Sequence, residues 1–254
     1  MKPVCFVMGA GAGIGGNVGK KFAREGYHAV LCRRSDEEGL RKLVSEIEAE
    51  GGTASGFLLD ASKPDTIEER IAGVEAEIGP IEVVLFNLGA QIGDKSLADT
   101  SAKAFELGWR LATFALFRLA QAVCPKMVER GGGTILVTSA TAAMRGNAGQ
   151  HSHAAAMGGR RMLCQTLNAE FSPKGIHVAH VLIDGAVDAP DTLGKMLGPE
   201  LFQQLREARG QENDGLLLPE KMAETYFHLA KQHRSAWTHE IDLRAFSDRP
   251  WWNH

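Results

Sequence analysis

The sequence predicts an α/β fold, a doubly wound parallel sheet with helices on both faces in a single domain. Three observations predict it. Apolar runs of strand length alternate with amphipathic runs of helix length along nearly the whole chain. The central run, Ile81 to Phe86, is almost continuously apolar, as a strand covered on both faces must be. A glycine-rich turn, Gly9-Ala10-Gly11-Ala12-Gly13-Ile14-Gly15, joins the first apolar run to the first amphipathic one.

That turn organises the rest. Val4 to Val7 reads as a strand, Ile14 to Glu25 as a helix, and Ala29 to Cys32 as the strand that completes a βαβ unit. Glycines let the backbone turn sharply and approach a ligand closely. The helix that follows points unpaired N–H groups and its positive dipole end at the same place, which suits a pyrophosphate. An ordinary tight turn is the competing reading.

Further along, Asp36 to Glu50 reads as a helix stopped by Gly51-Gly52, and Ala54 to Leu59 as a strand ending at Asp60. Pro64 to Ile78 reads as a helix. A long helix is expected over Ala102 to Glu129, broken by three glycines before a strand over Thr134 to Thr138. Then come a helix over Gln150 to Phe171, a strand over Ile176 to Ile183, an irregular to helical stretch from Asp188 to Gly215, a helix over Pro219 to Gln232 and a short strand over Ile241 to Leu243.

Composition bounds the function. The chain has 254 residues and is 44% hydrophobic, enough for one large domain with a full core. A net charge of −3 gives no electrostatic reason to expect nucleic acid or a membrane surface as partner. Cys5, Cys32, Cys124 and Cys164 are widely spaced without a CxxC pair, so they read as small core residues; no metal site is expected. No secretory leader is expected, because the first strand begins at once, and no apolar run reaches membrane-spanning length. A reduced cytoplasm is the expected location.

The spacing Gly9-xxx-Gly13-x-Gly15, together with Phe86-Asn87-Leu88-Gly89, resembles the short-chain dehydrogenase/reductase (SDR) family. The resemblance covers nearly the whole chain and implies a Rossmann-type fold, a nicotinamide cofactor, a small-molecule substrate, and a homodimer or homotetramer formed through the two long central helices. It implies cofactor contacts from Gly9, Gly13, Ile14, Gly15, Asp60, Asn87, Gly89 and Val187. Arg33-Arg34 follow the second strand, where folds that use NAD tend to place a carboxylate. Guanidinium groups there suit a 2′-phosphate, so NADP(H) is preferred over NAD(H); a solvated charged loop is the alternative.

The family's acid–base site is an Asn, a Ser, a Tyr and a Lys. An ungapped alignment puts Ala112, Ala140, His153 and Met157 at those positions, with Ser139 beside Ala140. A register shifted by one residue does not restore the site, since the two tyrosines are Tyr27 and Tyr226 and no Lys lies between Lys126 and Lys174. His153 and Ser139 are the candidate catalytic residues, and an imidazole titrates near neutrality. Arg161, one turn beyond Met157, is a candidate source of positive charge. His151 and His153 have the wrong spacing to share a metal on one helix face.

Asp184 and Ala189 depart from the Pro and Thr of the family's next motif. The segment of about 188–215 falls where the family places a substrate lid, and its Met196, Leu197, Leu201 and Phe202 suggest an apolar lining. Gly158-Gly159 within a helix each cost about 1 kcal/mol relative to Ala and suggest either a close helix crossing or a loosened helix. Trp251-Trp252 suggest packing against something, another subunit included.

Three functions are compatible with this pattern. The favoured one is an NADP-dependent oxidoreductase with a non-standard active site, acting on a small carbonyl or alcohol. The second is a catalytically inactive nucleotide-binding or partner-binding protein. The third is a non-redox enzyme that uses His153.

Overall fold

A computed structural model describes residues 1–89, 95–210 and 212–253. Strands β1 (Val4–Met8), β2 (His28–Arg33), β3 (Thr53–Leu58), β4 (Ile81–Phe86), β5 (Gly133–Ala140), β6 (Ile176–Ile183) and β7 (Glu240–Leu243) form the sheet among the described residues. Their order is β3-β2-β1-β4-β5-β6-β7, and every pairing is parallel. The order reverses between β1 and β4, and that crevice at the carboxyl ends is where a doubly wound sheet takes its ligand.

The helices follow the expected alternation. They are α1 (Ile14–Arg24), α2 (Glu37–Ala49), α3 (Thr66–Glu77), α4 (Ala102–Trp109), α5 (Ala115–Glu129), α6 (His151–Phe171), α7 (Lys195–Leu197), α8 (Pro199–Arg209) and α9 (Pro219–Ala230). The core lies in two layers. Val30, Val84, Val137 and Val178 on one sheet face pack against Ile71, Leu116, Leu119 and Cys164. Val7, Leu31, Leu85 and Val181 on the other face pack against Val18, Phe22, Met222 and Tyr226. All four cysteines are buried free thiols, as read from their apolar surroundings.

The structure differs from the sequence reading at the long helix. It is interrupted by a π-helical turn, Arg110–Phe114, between α4 and α5. Such turns re-register the backbone pairing and frequently mark functional sites. The crossing with α6 lies here: a Cβ on Gly159 would come within 3.0 Å of Thr113 Oγ1, while Gly158 has open space. Thr113 Oγ1 donates to the carbonyl of Ala156 at 2.8 Å. Glycine at 159 therefore permits the close crossing rather than loosening the helix.

Ala102–Glu129 is also long and apolar enough to cross a bilayer by length and composition, which corrects the expectation from run length. Half of its most apolar window is buried in the molecule, the behaviour of a core helix. Its outer face carries Trp109, Phe114 and Phe117, stacked in sequence with centroids 5.6 and 6.2 Å apart.

Candidate active site

The glycine turn is shaped by contacts that leave no room for side chains. Gly9 has φ +98°, and a Cβ there would stand 2.6 Å from the carbonyl oxygen of Asn87. A Cβ on Gly15 would collide with the carbonyl of Gly9. Asn87 Nδ2 donates to that same Gly9 carbonyl at 3.0 Å, tying the end of β4 to the turn after β1. The N-cap of α1 is Gly13, and no side chain caps the helix. An uncapped helix start beside a glycine cradle is an anion site.

This turn opens into a cleft of about 630 Å³, a usual size for a small-molecule site. The residues expected to hold a cofactor all line it: Gly9, Gly13, Ile14, Gly15, Arg33, Arg34, Asp60, Asn87, Gly89 and Val187. The sheet topology brings them together from five separate loops.

The two arginines are not equivalent. Arg33 Nη2 pairs with Asp36 Oδ2 at 3.0 Å, and Asp36 also accepts the backbone N–H of Gly39 as the N-cap of α2. The Gly39 bond first, then Arg33, holds the Asp36 carboxyl below its usual range. Arg34 is exposed and has no ion pair among the described residues. Asp60 Oδ1 accepts from Ser62 Oγ at 2.7 Å and Ser62 N at 3.0 Å. The Ser62 bond is the main cause that holds the Asp60 carboxyl low, and Arg34 adds to it. Arg118, buried and paired with Glu68, supports this end of the cleft by donating to the carbonyls of Ala61 and Lys63.

The opposite end of the cleft is apolar, lined by Leu88, Leu111, Ala140, Ile183 and Ala186. Thr192, Leu193 and Met196 line it from the 188–215 segment, whose described residues include a π-helical turn at Pro190–Gly194, α7 and α8. Of the other apolar residues noted there, Leu201 is exposed and Phe202 is buried against Gly194.

The candidate acid–base residues are placed differently. Ser139 is buried, and its Oγ lies 3.7 Å from Met157 Sδ. Ala140, not Ser139, lines the cleft, which corrects the expectation that Ser139 offers a hydroxyl there. His153, half-buried on the first turn of α6, lines a separate small recess with Lys95, Thr100, Ala104, Gln150 and Ser152. Ala112, Ala140 and Met157 belong to one small apolar cluster with Ala142 and Ala156. Three of the four positions that align with the family's acid–base residues thus form one contiguous apolar patch.

Arg161 does not face the cleft. Its guanidinium makes a two-pronged pair with Glu240 at 2.7 and 2.8 Å, which corrects its assignment as a source of charge at the site. Arg160 is the residue that sequence reasoning missed. It is 2% exposed and donates to the carbonyls of Ala112, Thr138 and Leu88. The signal was present: residues 156, 157, 160, 164 and 167 form the buried stripe of α6, and a cation on such a stripe has an unusual role. Tyr226 is fully buried and hydrogen-bonded to Thr138 Oγ1 at 2.8 Å, and burial pushes its phenol up. Tyr27 accepts from Lys231 Nζ at the amino edge of the sheet, away from the cleft.

The chain resembles known proteins over most of its length. The family profile described as short chain dehydrogenase matches residues 3–192. The chain is 30% identical over 231 residues to the short-chain reductase protein NovJ of Streptomyces niveus, covering 90% of this chain and 87% of that one. A solved short-chain dehydrogenase from Rhodopseudomonas palustris superposes with TM-score 0.80 at 33% identity, covering 96% of this chain and 99% of that one. An alcohol dehydrogenase from the archaeon Thermococcus sibiricus, complexed with 5-hydroxy-NADP, superposes with TM-score 0.81 at 26% identity over 98% of both chains. With its parallel seven-stranded sheet and its glycine turn at the strand crossover, the chain belongs to the short-chain dehydrogenase/reductase family of oxidoreductases, whose members bind nicotinamide cofactors.

Proposed function

We propose that the protein is an NADP-dependent oxidoreductase with a rebuilt acid–base site, acting on a small carbonyl or alcohol with an apolar body. One observation carries the reading: a single cleft gathers the glycine turn, Arg34, Asp60, Asn87 and Val187. The fit to a dinucleotide phosphate is physical. The uncapped start of α1 takes the pyrophosphate, and the exposed Arg34 takes the 2′-phosphate through charge-assisted bonds. Arg33, engaged by Asp36, shapes the wall instead. Asp60 adjoins the adenosine end.

The cofactor supplies hydride chemistry when bound. The protein's own residues bind and orient the reactants and exclude water. Leu111, Leu193 and Met196 favour an apolar substrate body, and the segment of about 188–215 serves as the lid. His153 is proposed as the proton donor to the substrate oxygen; it precedes Met157 by one turn on α6 and lines the recess beside the cleft rather than the cleft itself, so the role requires the proton to pass from that recess to the substrate. Trp109, Phe114 and Phe117 supply an apolar face for a homo-oligomer, in keeping with the family's use of these helices.

A second reading has its own support. The apolar patch of Ala112, Ala140 and Met157 suits a protein that binds nucleotide without turnover. A fluorescence titration with NADPH and NADH, followed by a carbonyl screen, separates the two. Tight NADPH binding with turnover supports the oxidoreductase, tight binding without turnover supports the second reading, and binding of neither overturns both.

A further inference from the structure

Arg160 is a charge buried without a counter-ion among its described hydrogen-bond partners. Nε donates to Ala112 O at 3.0 Å, Nη1 to Thr138 O at 2.6 Å and Nη2 to Leu88 O at 2.8 Å. The three carbonyls come from the π-helical turn, from β5 and from the loop after β4. The Phe86 ring lies 4.9 Å from the guanidinium carbon. Burial pushes the guanidinium down to about 10, so it remains a cation at neutral pH.

Its position relative to the cleft follows from these bonds. Leu88 lines the cleft itself, and so do Leu111, next to Ala112, and Ala140, two residues beyond Thr138. This is the end remote from Arg34 and Asp60. A dinucleotide with its adenosine at Arg34 would extend toward the end of the cleft whose wall Arg160 braces. The nicotinamide ring is cationic when oxidised and neutral when reduced. A buried charge acts through protein with little ionic screening.

We propose that Arg160 sets the redox preference of the bound cofactor, disfavouring the oxidised ring and biasing the site toward the reduced form and toward carbonyl reduction. The inference rests on the cofactor reading given above. The helix makes the arrangement intelligible. At 157, where the family resemblance expects a lysine, stands a buried methionine, and the cation is one turn further along the same stripe. It lies behind the wall of the cleft and reaches the ring only through its field, so Arg160 is a positioning residue.

The test compares NADPH and NADP+ affinities, by calorimetry on the full chain, in the wild type, Arg160→Met and Arg160→Lys. The wild type is expected to favour NADPH by about ten-fold. Arg160→Met should reduce that preference by about the same factor, and Arg160→Lys, which keeps the charge, should retain most of it. Equal loss of both affinities in Arg160→Met would mark a purely structural clamp and overturn the proposal. A wild-type preference for NADP+ also overturns it, even if Arg160→Met does not fold. Wild-type binding of neither form overturns the cofactor reading and this inference together, whereas binding of both with an unchanged ratio in Arg160→Met overturns this inference alone.

Discussion

Asp184 Oδ2 accepts the backbone N–H of Trp251 at 3.0 Å, tying the segment that carries Trp251-Trp252 to the loop leaving β6. The same oxygen accepts from Arg244 Nη1 at 3.2 Å. Trp251 is held twice more: its carbonyl accepts from Arg145 Nη1 at 2.7 Å, and its Nε1 donates to Asp242 Oδ2 at 3.1 Å. The aspartate that departs from the family's proline is therefore an anchor. It braces the residues just before Gly185 and Val187, both of which line the cleft. Asp184 is buried, so Asp184→Ala should destabilise the protein by about 2–3 kcal/mol and weaken cofactor binding, with a smaller loss for Asp184→Asn. Thermal melts and NADPH titrations check both.

Arg34→Ala should lower NADPH affinity by about ten- to hundredfold and leave NADH affinity nearly unchanged, since a charge-assisted contact to phosphate is worth about 1.5–3 kcal/mol. Arg33→Ala should do less to NADPH, because Arg33 is already engaged by Asp36. Equal losses for the two cofactors in Arg34→Ala would refute the 2′-phosphate assignment.

His153→Phe should reduce turnover by about 10²-fold or more while cofactor affinity stays constant. Steady-state kinetics beside a binding titration measure this. Unchanged turnover removes His153 from the chemistry.

His180 links stability to pH. It is fully buried on β6, with Nδ1 3.0 Å from Glu240 Oε2. Burial pushes its imidazole down from 6.5 to about 4, outweighing the opposite pull of Glu240, while Arg160 and Arg161 add to the lowering. The native state thus holds His180 neutral where the unfolded chain would protonate it. Its contribution is complete above pH 6.5 and is lost as pH falls from 6.5 toward 4, amounting to about 3 kcal/mol. Glu240, held below its usual range chiefly by Arg161, extends the loss further into acid. Urea unfolding at pH 7.5 and pH 5 should show this slope, and His180→Gln should flatten it.

Phe117→Glu should shift the protein to a smaller species in sedimentation velocity. The side chain is 44% exposed at the end of the stacked row from Trp109, and a charge opposes burial of that face against another subunit. An unchanged sedimentation coefficient would place the oligomer interface elsewhere.

Much of the architecture was legible in the sequence because its signals are local. Alternating apolar runs specify strands and helices, and the glycine spacing after β1 specifies a backbone that only glycine fits, as the Gly9 and Gly15 contacts demonstrate. Arg33-Arg34 and Asp60 were legible as candidates because strand ends converge on the crevice of a doubly wound sheet.

Other features depended on partners distant in the chain. Arg160 and Arg161 are adjacent, yet one residue along a helix turns the side chain by about 100°. Arg160 enters the wall of the cleft, and Arg161 meets Glu240 on β7. The π-helical turn and Gly159 are read together only once α6 crosses Thr113. The role of Asp184 rests on a partner 67 residues away, and that of Arg145 on one 106 residues away. By itself the sequence determined the sheet, the glycine turn and the absence of a Tyr–Lys pair on α6, because periodicity and residue identity suffice for these. The tertiary structure alone decided which arginine is buried, where His153 and Ser139 lie and what Trp251 packs against, because those outcomes depend on packing between segments far apart in the chain.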